Sequence, residues 1–254
     1  MAERREKGSS IARVLEIIET VAHADHPLSP ADISDILDIP KPSVHRLLTQ
    51  LQNDGYVQTN MRGLIVPAER LHKLSLGVLY SSQYKSVRRA ILQRLSAEIG
   101  ETCGIAIPDG VEMIYYDRLQ CNWPLQINLS IGTHTPAWCT ASGKLYLSSL
   151  DEPRLHKVVD NLSLTKMARN TITSRDQLKS VLYGIRETQL GIDNEEFIDG
   201  MVACAVPVKS RDGKLLACLF THAPVIRRSL DELIAFAPQM REAAGQLGDF
   251  LTDS

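Results

Sequence analysis

The feature that most constrains this chain is a pair of short helical patterns separated by the sequence Asp38-Ile39-Pro40. Ser29 can cap the first helix, and Pro30 suits its first turn, where the backbone amide has no intrahelical acceptor. Over residues 42–51, apolar side chains recur at i, i+3, i+4 and i+7, which predicts a buried stripe of Val44, Leu47, Leu48 and Leu51. Two short helices that meet at such a corner are typical of a helix-turn-helix.

The neighbouring sequence favours a winged form of this unit. An amphipathic pattern upstream predicts a third helix. Downstream, Gly55 can end the second helix of the pair, and residues 56–66 predict a β-hairpin with Arg62 at its tip. The predicted core positions are Ile11, Val14, Leu15, Ile18 and Val21 in the upstream helix, and Ile33, Ile36 and Leu37 in the first helix of the pair.

The outer face of the second helix is polar and carries no acidic side chain. Because a helix of this kind fits the major groove, we expect it to bind DNA. A helical interaction domain is the alternative explanation of the same pattern. The predicted DNA-binding residues are Lys41, Ser43, His45, Arg46, Thr49, Asn53 and, in the wing, Arg62.

Composition limits the other classes of protein. The formal net charge of −2 argues against non-specific coating of nucleic acid, so any DNA affinity must come from local basic groups. Arg4, Arg5 and Lys7 are a further candidate set, either as a DNA-contacting arm or as a solvated tail. No apolar run approaches the ~20 residues of a membrane helix, and no signal peptide is evident. We therefore expect a soluble, cytoplasmic protein that binds no membrane.

The five cysteines are widely spaced and form no Cys-x-x-Cys pair, which favours free thiols over a disulfide framework. We predict no cofactor and no metal site, although a zinc site assembled from Cys and His across the fold stays open. The length of 254 residues suits two domains. We place a winged helix-turn-helix at 1–66, a helical linker at 67–83 and a second domain at 84–254. Leu71, Leu74, Val78 and Leu79 line the linker helix, which can pack on its own chain or form a dimer seam.

Strand-like runs and helices follow from about residue 84, grouped rather than strictly alternating. This order predicts an α+β domain with an antiparallel sheet flanked by helices. Its first helix has Val87, Ile91, Leu92, Leu95 and Ile99 on one face. Strands are predicted at 103–107, 111–115, 125–131, 202–209 and 214–221, and helices after Thr140 and over 151–160, 174–189 and 229–251.

Several motifs in this order resemble those of IclR-family transcriptional regulators. Two belong to the helix-turn-helix, at 39–48 (IPKPSVHRLL) and 51–57 (LQNDGYV). Three belong to the second domain, at 132–144 (GTHTPAWCTASGK), 191–200 (GIDNEEFIDG) and 204–208 (CAVPV). The resemblance implies a GAF-like ligand domain, homodimers often paired into tetramers, and a small carboxylate metabolite that controls binding to operator DNA.

The start of the helix after Thr140 also suits an anion on physical grounds, because its unpaired amides are accessible among small residues. By similarity to family members, Ala141 and Ser142 would donate backbone groups to a carboxylate, and Asp193, Ala203, Phe220 and His222 would line the pocket. Phe220 and His222 stand where small-acid sensors place hydroxyl side chains. With Trp123, Ile127 and Trp138 as further apolar wall, we predict an aromatic acid; an aliphatic keto or sugar acid is the alternative. Trp138 and Phe220 could equally be core, and His222 could satisfy a backbone carbonyl.

Catalysis fits the same residues poorly. Ser142-Gly143-Lys144 resembles a phosphate loop, but Trp138 replaces its first glycine and Leu145 its Ser or Thr. Cys139 or Ser142, with His134 or His222 and with Asp193, offers nucleophile, base and orienting group, yet lacks a Gly-x-Ser-x-Gly elbow. We therefore expect a regulator and not an enzyme, with a second domain that only oligomerises as the remaining alternative.

Overall fold

A computed structural model describes residues 10–24, 26–79 and 82–252, and within it the chain divides into two compact units between Lys85 and Ser86. Arg4, Arg5 and Lys7, and the side chains of Val78 and Leu79, lie outside the described residues. No described helix is long and apolar enough to cross a membrane.

The first unit contains the predicted corner of two helices. It comprises α1 (Ser10–His23), α2 (Pro30–Leu37), α3 (Lys41–Asn53), β1 (Val57–Thr59), β2 (Ile65–Pro67) and α4 (Glu69–Leu79). Ser29 caps α2 and forms a reciprocal capping box with Asp32. Asp38 then takes a left-handed conformation with φ of 52°, which ends α2 and turns the chain toward α3.

The buried stripe of α3 is as predicted, since all four apolar side chains lie in the core of this unit. The predictions for the other two helices were partly wrong. Ile11, Leu15 and Ile36 are 73%, 52% and 59% exposed. Ile17 is buried in α1 instead, and Ser34 is buried in α2, where its hydroxyl donates to the carbonyl of Ile39. In α4, Leu71 is buried whereas Leu74 is 53% exposed.

The second unit is built on a six-stranded antiparallel sheet of order β5-β4-β3-β8-β7-β6. Its helices are α5 (Ser82–Ile99, which begins just before the boundary), α6 (Ala141–Ser149), α7 (Glu152–Asn161), α8 (Arg175–Thr188), α9 (Leu230–Ile234) and α10 (Ala237–Thr252). Its strands are β3 (Thr102–Asp109), β4 (Glu112–Leu119), β5 (His134–Pro136), β6 (Gly191–Asn194), β7 (Met201–Lys209) and β8 (Leu215–Pro224). The predicted α+β architecture is confirmed.

Three element predictions differ from the structure. Residues 125–131 form no strand, and the edge strand β5 lies further along the chain. The last helix is broken into α9 and α10, and β6 lies within a motif to which no strand was assigned. On the predicted apolar face of α5, Leu92, Leu95 and Ile99 are buried, whereas Val87 is 41% exposed.

The alternation of side chains along the strands divides the sheet into two faces. Ala203 and Ala205 of β7 pack with Ala141 and Leu145 of α6 on one face. Cys204, between them in sequence, contacts Leu233 and Met240 of α9 and α10 on the other. The face under α6 carries the predicted effector residues of β6, β7 and β8.

Candidate functional site

The predicted DNA-binding side chains of α3 lie outside its leucine stripe. Ser43 is half-buried, and the other five are exposed: Lys41, His45, Arg46, Thr49 and Asn53. The hydroxyl of Thr49 donates to the carbonyl of His45 at 2.9 Å, which leaves its lone pairs available. The helix thus presents a mixed cationic and hydrogen-bonding surface of the kind that suits DNA.

The wing is tied to α3 and formed by a tight turn. The Gln52 amide donates to the hydroxyl of Thr59 on β1 at 2.5 Å. At the tip, the Asn60 carboxamide accepts from the amides of Arg62 and Leu64, and Gly63 has a φ of +75°, which a side chain would strain. Arg62 is exposed beside that turn.

The start of α6 is packed against backbone. The Thr140 hydroxyl accepts from the amide of Gly143, and the Lys144 amide bonds to the Thr140 carbonyl. A Cβ on Gly143 would lie 2.3 Å from the Cα of Ala137, so only glycine fits there. The cap leaves the amides of Ala141 and Ser142 for another acceptor, as an anion at this helix start would require.

A buried ion pair lies beside that helix start. The Lys144 ammonium contacts the Glu196 carboxylate, and both residues are buried. Asp193 accepts from the amides of Glu196 and Phe197 through Oδ1, while its Oδ2 has no partner among the described residues. Burial raises the pKa of Asp193 to about 7, although those amides and Lys144 oppose the shift.

Phe220 belongs to the core as well as to the predicted pocket. It stacks on Tyr115 with ring centroids 4.6 Å apart, and it lies over Gly104, where a Cβ would come within 2.5 Å of its Cζ. Its exposure is 2%. The aromatic wall is therefore present, and space for a ligand beside it requires local rearrangement.

His222 lies in the same row of the sheet as Asp193, because β6 to β8 pair Asp193 with Ala203 and Ala203 with His222. The small Ala203 separates the two polar side chains. His222 is 3% exposed, and neither ring nitrogen has a partner among the described residues. Burial, and secondarily the charge of Arg118, lower the pKa of His222 to about 3, so the ring is neutral. The alternative explanation of His222, that it satisfies a backbone carbonyl, is therefore wrong.

Arg118 also lies on this face, and it is not among the residues predicted from the sequence. Arg118 of β4 pairs with Gly104 of β3, which in turn pairs with Phe220 of β8. Arg118 and Phe220 therefore lie in the same row of the sheet, on either side of Gly104. Arg118 is 8% exposed and donates to the carbonyls of Ile127 and Leu129, while its Nε has no partner among the described residues. The only sequence signal is a charged pair, Asp117-Arg118, at the end of a strand-like run, and it does not show which face either side chain occupies.

The remaining predicted wall residues are dispersed. Ile127 reaches the site through its carbonyl. Trp138 packs with α7 and α8 residues and lines a separate cavity of about 710 Å³ with Tyr146, Leu150 and Val158. Trp123 is 45% exposed, with the Arg227 guanidinium 4.1 Å from its ring centroid.

Nucleophilic and metal chemistry find no support in the described residues. Burial raises the pKa of the Cys139 thiol well above its usual range, which disfavours the thiolate. His134, at the start of β5, is half-exposed. It lies beside Glu112 of β4 and Asp109 of β3. No group of three His, Cys, Asp or Glu side chains in the described part of the chain could hold a metal ion, and all five cysteines are free.

The raised pKa of Asp193 leads to a test of its charge. In the folded protein this carboxyl keeps its proton up to a pH of about 7, whereas unfolded it loses the proton near 3.8. Stability should therefore fall as pH rises through that window. Asp193→Asn keeps an oxygen for the Glu196 and Phe197 amides and cannot ionise. We expect it to gain on the order of 4 kcal/mol over wild type between pH 4 and pH 8.

Denaturant unfolding of wild type and Asp193→Asn across this pH range measures the difference in their free energies of unfolding. The titration of His222 cancels in that difference, because both proteins contain His222. A difference independent of pH would mean that Asp193 is not protonated in the folded state.

Comparisons with known proteins agree with this architecture. Residues 10–60 match the IclR helix-turn-helix domain, and residues 77–248 match the bacterial transcriptional regulator IclR C-terminal domain. The "Probable transcriptional regulator SauR" of Cupriavidus necator is 35% identical over 240 residues, which cover 94% of this chain and 95% of that protein.

Solved structures show the same fold. The Thermotoga maritima IclR structure has a TM-score of 0.64 at 21% identity and covers 95% of this chain and 98% of its own. The inducer-binding domain of an Acinetobacter PobR double mutant, in complex with 3-hydroxybenzoic acid, has a TM-score of 0.58 at 28% identity and covers 64% of this chain and 95% of its own. The expectation of a regulator and not an enzyme is confirmed. The chain belongs to the IclR family of DNA-binding transcriptional regulators.

Proposed function

We propose that an aromatic carboxylate, bound on the α6 face of the sheet, controls operator binding by α3 and the wing. The observation that carries this proposal is the buried, neutral His222 with two unpartnered ring nitrogens, next to the Phe220–Tyr115 stack. Buried polar groups in folded proteins nearly always have a partner, so a missing one indicates a molecule that supplies it.

The aromatic ring of the ligand would lie near Phe220, whose centroid is 6.0 Å from that of His222 with the two planes 16° apart. A neutral imidazole can donate from one nitrogen and accept at the other, which suits a hydroxyl or carboxyl group. The relative that carries 3-hydroxybenzoic acid supports an aromatic acid at a site of this fold. An aliphatic keto or sugar acid remains the alternative class.

The proposed DNA contacts are those of the first unit. Arg46, His45, Thr49 and Asn53 would approach base edges, while Lys41, Ser43 and Arg62 would contact the backbone or the neighbouring groove. We propose a homodimer, or a pair of dimers, as the binding unit, because a dimer matches the two half-sites of a palindromic operator. Leu74, exposed on α4, is available for such an interface.

Arg46→Ala should weaken operator binding by about 1 to 3 kcal/mol and relax specificity at one base pair, if the guanidinium makes a bidentate base contact. Lys41→Ala should instead reduce affinity for all sequences and flatten the salt dependence. Mobility shifts with operator and scrambled DNA distinguish the two effects. The matched control is Arg211→Ala, which removes an equal charge from the β7–β8 turn. If Arg46→Ala binds operator as tightly as wild type, α3 does not recognise bases through this residue.

The acid group of the effector can be tested with neutral analogues. We expect 3-hydroxybenzoate to bind at least tenfold more tightly than methyl 3-hydroxybenzoate in calorimetry, because only the acid carries the charge that the site attracts. Pyruvate, as an aliphatic acid of similar charge, should bind more weakly than 3-hydroxybenzoate. Stronger binding of pyruvate would transfer the proposal to the aliphatic class, and equal affinity for acid and ester would remove the anion site.

A further inference from the structure

Three cationic side chains are buried among the described residues of the second unit: Arg88, Lys144 and Arg118. Two of them have a carboxylate. The Nε of Arg88 lies 2.7 Å from Asp117, and Lys144 contacts Glu196. For Arg118, no carboxylate of the described residues lies within ion-pair distance, and its donors meet only backbone carbonyls. Since burial of an uncompensated charge is costly, an anion beside this guanidinium would be stabilised.

Neighbouring side chains define where such an anion would bind. Arg118 is on the α6 face of β4, level with Phe220, and its charge acts on His222. The unpartnered Nε of Arg118 and the two unpartnered nitrogens of His222 are all buried. A carboxylate between them would satisfy donors from both side chains and neutralise the guanidinium.

The present partners of Arg118 belong to the segment of residues 120–131, which is most of the connection from β4 to β5. Ile127 and Leu129 are half-buried while Asn128 and Ser130 are exposed, so alternate residues face the sheet. Leu129 also packs against the cluster that contains Phe220 and Tyr115. The segment therefore covers this part of the face, and the guanidinium of Arg118 holds it there.

A carboxylate is the stronger acceptor for these donors. Hydrogen bonds from a guanidinium to a carboxylate are charge-assisted and often bidentate, and they are roughly twice as strong as those between neutral groups. A ligand carboxylate can thus replace the carbonyls of Ile127 and Leu129, which then lose the donors that position the segment.

We propose that Arg118 both holds the 120–131 segment over this part of the α6 face and binds the acid group of the effector, so that effector binding exchanges segment carbonyls for a carboxylate and displaces the segment. This inference rests on the proposed function, because it assumes that an acid enters this face. It places the acid group at Arg118 instead of at the amides that start α6, which makes Arg118 a specificity-determining residue, and it identifies the element that changes conformation when the acid binds.

Hydrogen exchange tests the holding role without any ligand. In Arg118→Met, peptides that cover 120–131 should exchange severalfold faster than in wild type, while peptides from β7 and α10 exchange at the wild-type rate. Arg118→Lys should give an intermediate result, since an ammonium can still donate to one carbonyl. Arg154→Met, which removes an exposed arginine from α7, is the control and should change nothing in the segment. Unchanged exchange of the segment in Arg118→Met would overturn the holding role.

Calorimetry with 3-hydroxybenzoate and its methyl ester tests the anion role. Arg118→Met should bind the acid at least tenfold more weakly and the ester as wild type does, a difference that a purely structural effect would not produce. In wild type, the acid should accelerate exchange of the 120–131 segment. Equal losses for acid and ester would overturn the anion role.

The outcomes separate this inference from the proposed function. If acid binds wild type and Arg118→Met equally well, the inference fails and the aromatic-acid effector stands. If pyruvate binds in place of 3-hydroxybenzoate and depends on Arg118, the aromatic class fails and the inference stands. Absence of binding of either acid to wild type at millimolar concentration contradicts both.

Discussion

Compensation of buried positive charge is the constraint around which the second unit is organised. Arg88 and Arg118 lie on opposite faces of the sheet at β4, because Asp117 and Arg118 are successive residues of one strand. On the α5 face, Asp117 neutralises Arg88, whose guanidinium lies 4.4 Å from the Tyr116 ring centroid. On the α6 face, Lys144 and Glu196 connect the helix to the loop after β6. The Arg118 side chain, on the same face, donates only to the carbonyls of residues 127 and 129 among the described residues. The buried polar atoms on this face that lack a partner in the described part of the chain include the Nε of Arg118, the ring nitrogens of His222 and Oδ2 of Asp193.

Sheet register then brings the pocket residues together. The β6–β7 and β7–β8 pairings put Asp193, Ala203 and His222 in one row, and the next row contains Ala205, Phe220 and Gly104. Small residues in both rows leave room for the bulky side chains beside them. A register shift of one residue would move all of these side chains to the α10 face, so the site depends on the pairing as much as on the residue types.

The sequence predicted best where a pattern is local. The leucine stripe of α3, the Ser29 cap and the turn at Asn60 each depend on neighbours within a few residues, and each is present. The segment before β5 was predicted as a strand because its apolar residues alternate. Its carbonyls bond to the Arg118 side chain instead of a neighbouring strand. That side chain lies about ten residues earlier in the chain, and no periodicity shows its direction.

The predicted effector residues divide in the same way. The effector residues predicted from the family resemblance, at the start of α6 and on β6, β7 and β8, lie on one face of the sheet. Strand register places them there. Trp138 was included for its aromatic character alone, and it packs with α7 and α8. Residue type predicts that such a side chain is buried, whereas tertiary packing determines which cluster receives it. The difference between Arg118 and the two buried cations that have carboxylate partners depends on tertiary contacts, which no local pattern predicts.

The central claim is that an acid in the second unit controls DNA binding by the first. A ligand can change operator affinity only through different affinities for two states of the protein, and this coupling is reciprocal. The direct measurement is fluorescence anisotropy of labelled operator with and without saturating 3-hydroxybenzoate, paired with calorimetry of the acid with and without operator. We expect the same factor in both experiments; a tenfold change would correspond to a coupling of about 1.4 kcal/mol. Tight binding of the acid with unchanged operator affinity would contradict control by the acid.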